Sequence, residues 1–196
     1  MPWTCVLLEE TGRASLALRR YAANLRAPCP AGSYHEARTL IGEAPLVIDA
    51  DGNWHIDVPQ PPATDPRWPT HCACGYAFAE LDTWQLAPRR IYSRQDTGAE
   101  LTLDEAEPGM LWEAPWYVDV GWHGTDGRSF VMRLPGDGEW AIDAISSGGG
   151  RWQRTGEPPA ITVRPSILSH GSATRKEYHG FLTDGVLSDD LEGRTY

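Results

Sequence analysis

Apolar and polar residues alternate in short runs along most of this chain, and nearly every run is closed by glycine, proline, asparagine or aspartate. That punctuation predicts strands joined by tight turns. Residues 46–58 read as two strands around an Asp51-Gly52-Asn53 turn, and 84–86 and 90–94 as strand pieces. Residues 103–106 form a short or helical turn, and 116–120, 129–134 and 139–143 have β-type composition. Asp126-Gly127 and Asp137-Gly138 supply hairpin turns that make this stretch a meander. After a flexible loop at 146–150, strand pieces follow at 151–154, 160–163, 178–182 and 185–187, the last two forming a hairpin around Thr183-Asp184-Gly185. Pro165 should end its strand or place it at a sheet edge.

One segment departs from this pattern. In 14–25, Leu18, Tyr21, Ala22 and Leu25 fall at three- and four-residue spacing while Arg19, Arg20 and Asn24 stay wet, which predicts a short helix stopped by Pro28 and Pro30. The expected fold class is therefore mainly β (α+β), a compact antiparallel meander with a short N-terminal helix and a zinc-knuckle-like turn. Five prolines between 59 and 69 mark the one boundary. It separates a helix-plus-hairpin segment (1–60) and a proline-rich connector (61–69) from a β-rich main domain (70–190) and a polar tail (191–196).

Composition narrows the function classes. With 20 glycines and 16 prolines in 196 residues the chain is no coiled coil or helical bundle. A net charge of -10 argues against a partner bound through its phosphate backbone, so nucleic acid is not the expected ligand, although Arg151, Arg154 and Arg164 form a short arginine stripe. There is no apolar run long enough for a membrane helix and no signal-peptide pattern at the start, so a soluble, cytoplasmic protein is expected.

Four cysteines, Cys5, Cys29, Cys72 and Cys74, are too few for a disulfide scaffold. The strongest chemical signal is Cys72-Ala73-Cys74-Gly75, in which a tight turn, relaxed by glycine, aims two thiolates at one ion. Cys29 and His35, in a similar loop-like segment upstream, are the preferred remaining ligands of a structural zinc site that would clip the N-terminal part onto the rest. Cys5, His55 and His71 are the alternatives, since spacing does not choose among them.

Conventional catalytic motifs are absent from the sequence: there is no nucleophile elbow, zinc-protease helix, phosphate loop or dinucleotide fingerprint. A hydrolase, the alternative reading, would draw on His123, His179, Asp143 and Asp184, with His170, Asp126, Ser166 and Ser169 as further candidates. Nine tryptophans mostly suit core packing; only Trp112, Trp116 and Trp122, beside Tyr117 and His123, cluster as an aromatic surface.

The order Cys72-x-Cys74-Gly75-Tyr76-x-Phe78, Trp84-Gln85, Arg90-Ile91-Tyr92, Asp96-Thr97-Gly98 and Pro108-Gly109-Met110 resembles an uncharacterised family encoded in bacteriophage and prophage genomes. Asp126-Gly127-Arg128, Gly138 to Asp143, Trp152 to Pro159, Pro165-Ser166-Ile167 and Tyr178-His179-Gly180-Phe181-Leu182 continue the pattern, so that it covers about residues 66 to 190. The resemblance implies a phage protein made in the host cytoplasm, with the virion as the alternative location, and it brings no established activity. Some relatives carry extra cysteines and histidines where this chain has Ser146 to Gly150, so no ligand set transfers there. The expectation is a phage accessory protein that contacts a virion or host protein.

Overall fold

The computed structural model describes residues 2–22, 29–30, 34–136, 138–145, 149–169 and 177–189. Strands dominate: β1 (Trp3–Thr4), β2 (Val6–Ala22), β3 (His35–Pro45), β4 (Val47–Ile48), β5 (Trp54–His55), β6 (Thr83–Arg94), β7 (Glu100–Thr102), β8 (Met110–Glu113), β9 (Phe130–Leu134), β10 (Gly138–Ala141), β11 (Gln153–Thr155), β12 (Thr162–Ser169), β13 (Tyr178–Thr183) and β14 (Val186–Asp189). The chain divides into two units, Met1–Glu9 with Tyr92–Tyr196, and Glu10–Ile91. The long strands β2 and β6 contribute residues to both.

In the first unit, an antiparallel sheet of order β1-β14-β13-β12-β11 faces the sheet that carries β10-β9-β8 and the start of β2. The pairing of β2 with β8 is parallel, Val6 opposite Met110 and Leu8 opposite Trp112. The period of two sorts β8 and β9 between two cores. Leu111, Phe130, Met132 and Leu134 join Ile161, Val163, Ile167, Leu182 and Leu187 of the facing sheet. Met110, Trp112 and Val131 turn the other way, to Leu8 and Tyr92. Burial on both faces explains why these strands read as near-continuous apolar runs. The β13–β14 hairpin closes through Asp184 and Gly185, both at positive φ (46° and 70°), the backbone that a two-residue turn between twisted strands requires.

Three expectations need correction here. Residues 116–120 contain no strand: Pro115–Tyr117 is a 3-10 turn, started by a proline whose fixed φ suits the first helical position. Trp112 is a core residue, 1% exposed, and does not belong to an aromatic surface. Pro165 neither ends β12 nor puts it at an edge, because β12 has neighbours on both sides. The strand passes the proline by slipping register, with Val163 opposite Leu182 but Ile167 opposite Gly180, so four steps on β12 match two on β13. Within the loop expected at 146–150, 146–148 lie outside the described residues, as do His170 and the tail 191–196.

In the second unit β2 and β3 form a long antiparallel hairpin, from Arg13 opposite Pro45 to Ala22 opposite His35, with a bulge at Leu16/Ala17. The 46–58 hairpin is present as β4 and β5, its turn held by the Asp49 carboxylate, which accepts from the Asp51 and Asn53 amides.

The helix expected over 14–25 is not there; residues up to Ala22 are strand, and 23–25 lie outside the described residues. Leu18, Arg20 and Ala22 are buried on one face, and Arg19 and Tyr21 are half-buried on the other. Arg20 is only 7% exposed, and treating it as a wet residue hides the two-residue period. Two of its nitrogens are satisfied: Nη1 donates to the carbonyl of Pro69 (3.3 Å) and Nη2 to that of Ala79 (2.6 Å), while the buried Nε has no hydrogen-bond partner among the described residues. It also lies over the rings of Trp84 (4.7 Å) and Phe78 (5.3 Å). Through these contacts β2 anchors the 69–79 loop.

Candidate metal centre

That loop is a small turn-back of the chain. Phe78 N–H donates to Thr70 O, His71 bridges to Ala77, and Cys72 N–H donates to Tyr76 O. Gly75 N–H closes the turn on Cys72 O, and its φ of 90° is one that a side chain would strain. Asp82, buried, accepts from the Ala79 amide at 2.7 Å and from the Tyr76 hydroxyl at 3.4 Å. The knuckle is thus fixed from behind by Arg20 and Asp82 before any ion is considered.

Facing it is the far end of the β2–β3 hairpin. His35 is the first residue of β3, and Cys29 lies in the connection between the two strands. Ligand atoms of Cys29, His35, Cys72 and Cys74 all lie within 4.8 Å of one another, and the first three residues are buried. Cys29 Sγ is 3.9 Å from Cys72 Sγ, and His35 Nδ1 is 3.1 Å from Cys74 Sγ. The His35 ring stacks on Tyr76, with centroids 4.0 Å apart and planes 8° from parallel, so its orientation is set by packing. These four residues are placed to share one metal ion.

The electrostatics favour a charged sulfur at Cys72 but not at Cys74. The Cys74 amide is the main influence that brings the Cys72 thiol down to about 6, with the Glu36 amide and His35 adding to it against burial. For Cys74 the Tyr76 amide acts in the same sense, but desolvation and the adjoining Cys72 and Cys29 sulfurs outweigh it and the thiol is raised. Amides aimed at sulfur are the outer-shell arrangement of thiolate metal sites. Next to His35, Glu36 feels a desolvation that would raise its carboxyl, yet ion pairs with Arg19 and Arg38 hold it at about 2.

The alternative ligands go elsewhere. Cys5 sits in the first unit's core, where burial pushes its thiol up to about 12. His55 pairs with Asp57 at 3.3 Å, and exposed His71 contacts Thr70 Oγ1. Among the described residues no second group of three or more His, Cys, Asp or Glu ligand atoms gathers.

Of the four hydrolase candidates, Asp143 is buried, receives the Phe130 amide and pairs with Arg154. His123 is exposed, with Nδ1 2.9 Å from Gly124 O, and Asp184 is an exposed turn residue. His179 Nε2 stands 3.2 Å from Ser166 Oγ. Ser169 lies at the end of β12, and Asp126 pairs with Arg154. The buried Arg20 and Arg154 are the organising side chains that sequence reasoning missed; both looked like surface cations. No protein-family model, no curated protein and no solved structure matches this chain.

Proposed function

We propose that Cys29, His35, Cys72 and Cys74 hold one structural zinc ion, and that the protein is a non-enzymatic phage accessory protein acting by contact with a virion or host protein. The observation that carries the metal reading is the convergence of the four ligand atoms within 4.8 Å. Tetrahedral zinc with Zn–S bonds of about 2.3 Å implies S–S edges of about 3.8 Å, which the 3.9 Å between Cys29 and Cys72 matches. Three thiolates and one imidazole fill all four positions, leaving none for a substrate or a water, and that is the composition of structural zinc. The ion would tie the hairpin end to the knuckle.

The accessory role rests on less: the resemblance to phage proteins, and an aromatic surface in which Tyr117 and Trp122 pack at 5.1 Å beside exposed Trp116. The hydrolase alternative is the weaker reading because its best carboxylate, Asp143, is committed to Arg154. Elemental analysis of the reduced protein tests the metal. One zinc per chain, lost in Cys72→Ser and in Cys29→Ser, is expected; a metal-free folded protein would end the structural-zinc reading. Recovery of one host or virion protein by affinity capture, abolished by Trp116→Ala with Trp122→Ala, tests the contact. Turnover of a peptide or small-molecule ester lost on His179→Ala would favour the hydrolase instead.

A further inference from the structure

A cavity lies at the register slip in β12. Four residues of β12 span two of β13, so Arg164, Pro165 and Ser166, between the buried Val163 and Ile167, fall out of step with β13 while Arg164 stays paired with β11. The hollow, about 710 Å³, opens on the outer face of β11, β12 and β13 and is lined by Arg151, Gln153, Arg164, Ser166, Phe181 and Thr183 among others. Its volume lies within the range of small-molecule sites. Gln153 is directly opposite Arg164 in the ladder, and Arg151 precedes it by two residues.

Charge singles this place out. The protein carries a net charge of -10, and its other described arginines each have a carboxylate, carbonyl or comparable partner. Arg151 and Arg164 have none among the described residues, and both line this cavity, which has no acidic side chain in its wall. The cavity also holds an aromatic surface, Phe181, 45% exposed, whose neighbour on β13, His179, fixes Ser166 through the 3.2 Å contact. Two guanidinium groups without a partner among the described residues, hydroxyl and amide donors, and an apolar wall are complementary to an oxyanion with an apolar body.

We propose that this cavity binds a small organic anion, its carboxylate or phosphate held by Arg151 and Arg164 and its apolar or aromatic part laid against Phe181 and Pro165. The inference stands apart from the metal centre, which lies in the other unit. Titration of the isotope-labelled protein with phenyl phosphate, benzoate, inorganic phosphate and neutral benzyl alcohol, followed by amide shifts, tests it. Saturable binding of phenyl phosphate or benzoate in the millimolar range or tighter is expected, with shifts at Ser166 and Phe181 and binding of benzyl alcohol at least about tenfold weaker. Which anion binds tighter identifies the head group. Arg151→Gln and Arg164→Gln should each weaken the anion about tenfold. Phe181→Ala should weaken phenyl phosphate while leaving inorganic phosphate unchanged. All three side chains are exposed, so the variants should melt with the parent. No saturation by either organic anion, or binding indifferent to both arginines, would overturn the proposal. So would a single-stranded oligonucleotide that binds there much more tightly with a steep salt dependence, since that is a polyanion groove.

Discussion

Arg154 Nε donates to Asp143 Oδ1 at 3.0 Å, and the two side chains are 4% and 2% exposed, a salt bridge inside the first unit's core. Arg154 also reaches Asp126, which is partly exposed, and the Arg128 carbonyl, and it lies over the Phe130 ring at 4.8 Å. Removing one partner of a buried pair costs about 3–5 kcal/mol because the other charge is left stranded. Arg154→Ala should therefore destabilise by that amount in urea unfolding, whereas Asp126→Ala, losing a partly exposed pair, should cost about 1 kcal/mol or less. An Arg154→Ala loss no larger than that of Asp126→Ala would show that the pair is not the organiser of this region.

The same pair sets a pH dependence. Desolvation raises the Asp143 carboxyl, with Arg154 opposing it. A raised folded value contributes stability below the ordinary carboxylate range and loses it as pH rises through the folded value. Without Arg154 the opposition disappears and the loss near neutrality grows. Asp126 runs the other way: its hydrogen bond from Arg154 lowers it, so its contribution is present above the ordinary value and disappears as pH falls. Both trends shrink the gap between parent and Arg154→Ala on acidification. Unfolding curves at pH 7 and pH 4 should show a smaller difference at pH 4, and a constant difference would contradict this account.

Arg20 invites a similar test with a different reporter. Its donors hold the Pro69 and Ala79 carbonyls behind the knuckle. Arg20→Met keeps the volume but strands both acceptors and loses two ring contacts, a cost of about 2–4 kcal/mol. Arg20→Lys should recover only part of it, since one ammonium cannot reproduce the planar fork. Zinc release to a chromogenic chelator should be faster in Arg20→Met than in the parent. Equal release rates would mean that the knuckle needs no support from β2.

These two arginines also explain what could and could not be read from the chain. The β13–β14 hairpin was legible because apolar residues alternate on either side of its Asp184-Gly185 turn, and β9 because its composition is β-type. The gathering of the four candidate ligands was legible for a local reason: Cys72, Cys74 and Gly75 lie within four residues, and only a few cysteines and histidines remained to join them. Strand β2 was not, because an inward-facing arginine breaks the alternation that identifies a strand, leaving Leu18, Tyr21 and Ala22 to mimic a helical face. Arg154 and the β12 cavity were equally hidden. Their partners lie 11 and 28 residues away, and a register slip between two strands leaves no mark in local composition.

Cys5 gives a contrast among the thiols. Packed among Leu111, Ile161 and Leu187, it is displaced by burial from the usual 9.0 to about 12, although the Leu187 backbone pulls slightly the other way. The stability linked to its neutral thiol is complete below pH 9 and is lost as pH rises from there toward 12. Iodoacetamide at pH 8 should leave Cys5 unmodified in the native protein and label it in urea, and Cys5→Ala should flatten the stability decline between pH 9 and pH 11. Rapid native labelling of Cys5 would show that the first unit opens locally.

Removal of the metal should have a regional effect. If the ion contributes folding free energy to the hairpin end and the knuckle, chelation must destabilise the part of the chain that supplies its ligands. A strong chelator should lower the melting temperature and accelerate amide exchange at 34–38 and 70–79, where the backbone carries His35, Cys72 and Cys74. Amides of β9 and β13, whose side chains pack in a core without metal ligands, should exchange at their original rates. Cys74→Ser removes the one exposed ligand and should weaken zinc less than Cys72→Ser, whose sulfur accepts the Cys74 and Glu36 amides. His35→Ala should lose both a ligand and the stack on Tyr76, whereas His35→Phe keeps the stack alone. Zinc retained by His35→Phe would remove the histidine from the ligand set and leave a three-thiolate site; zinc lost from a protein that still melts cooperatively would establish all four.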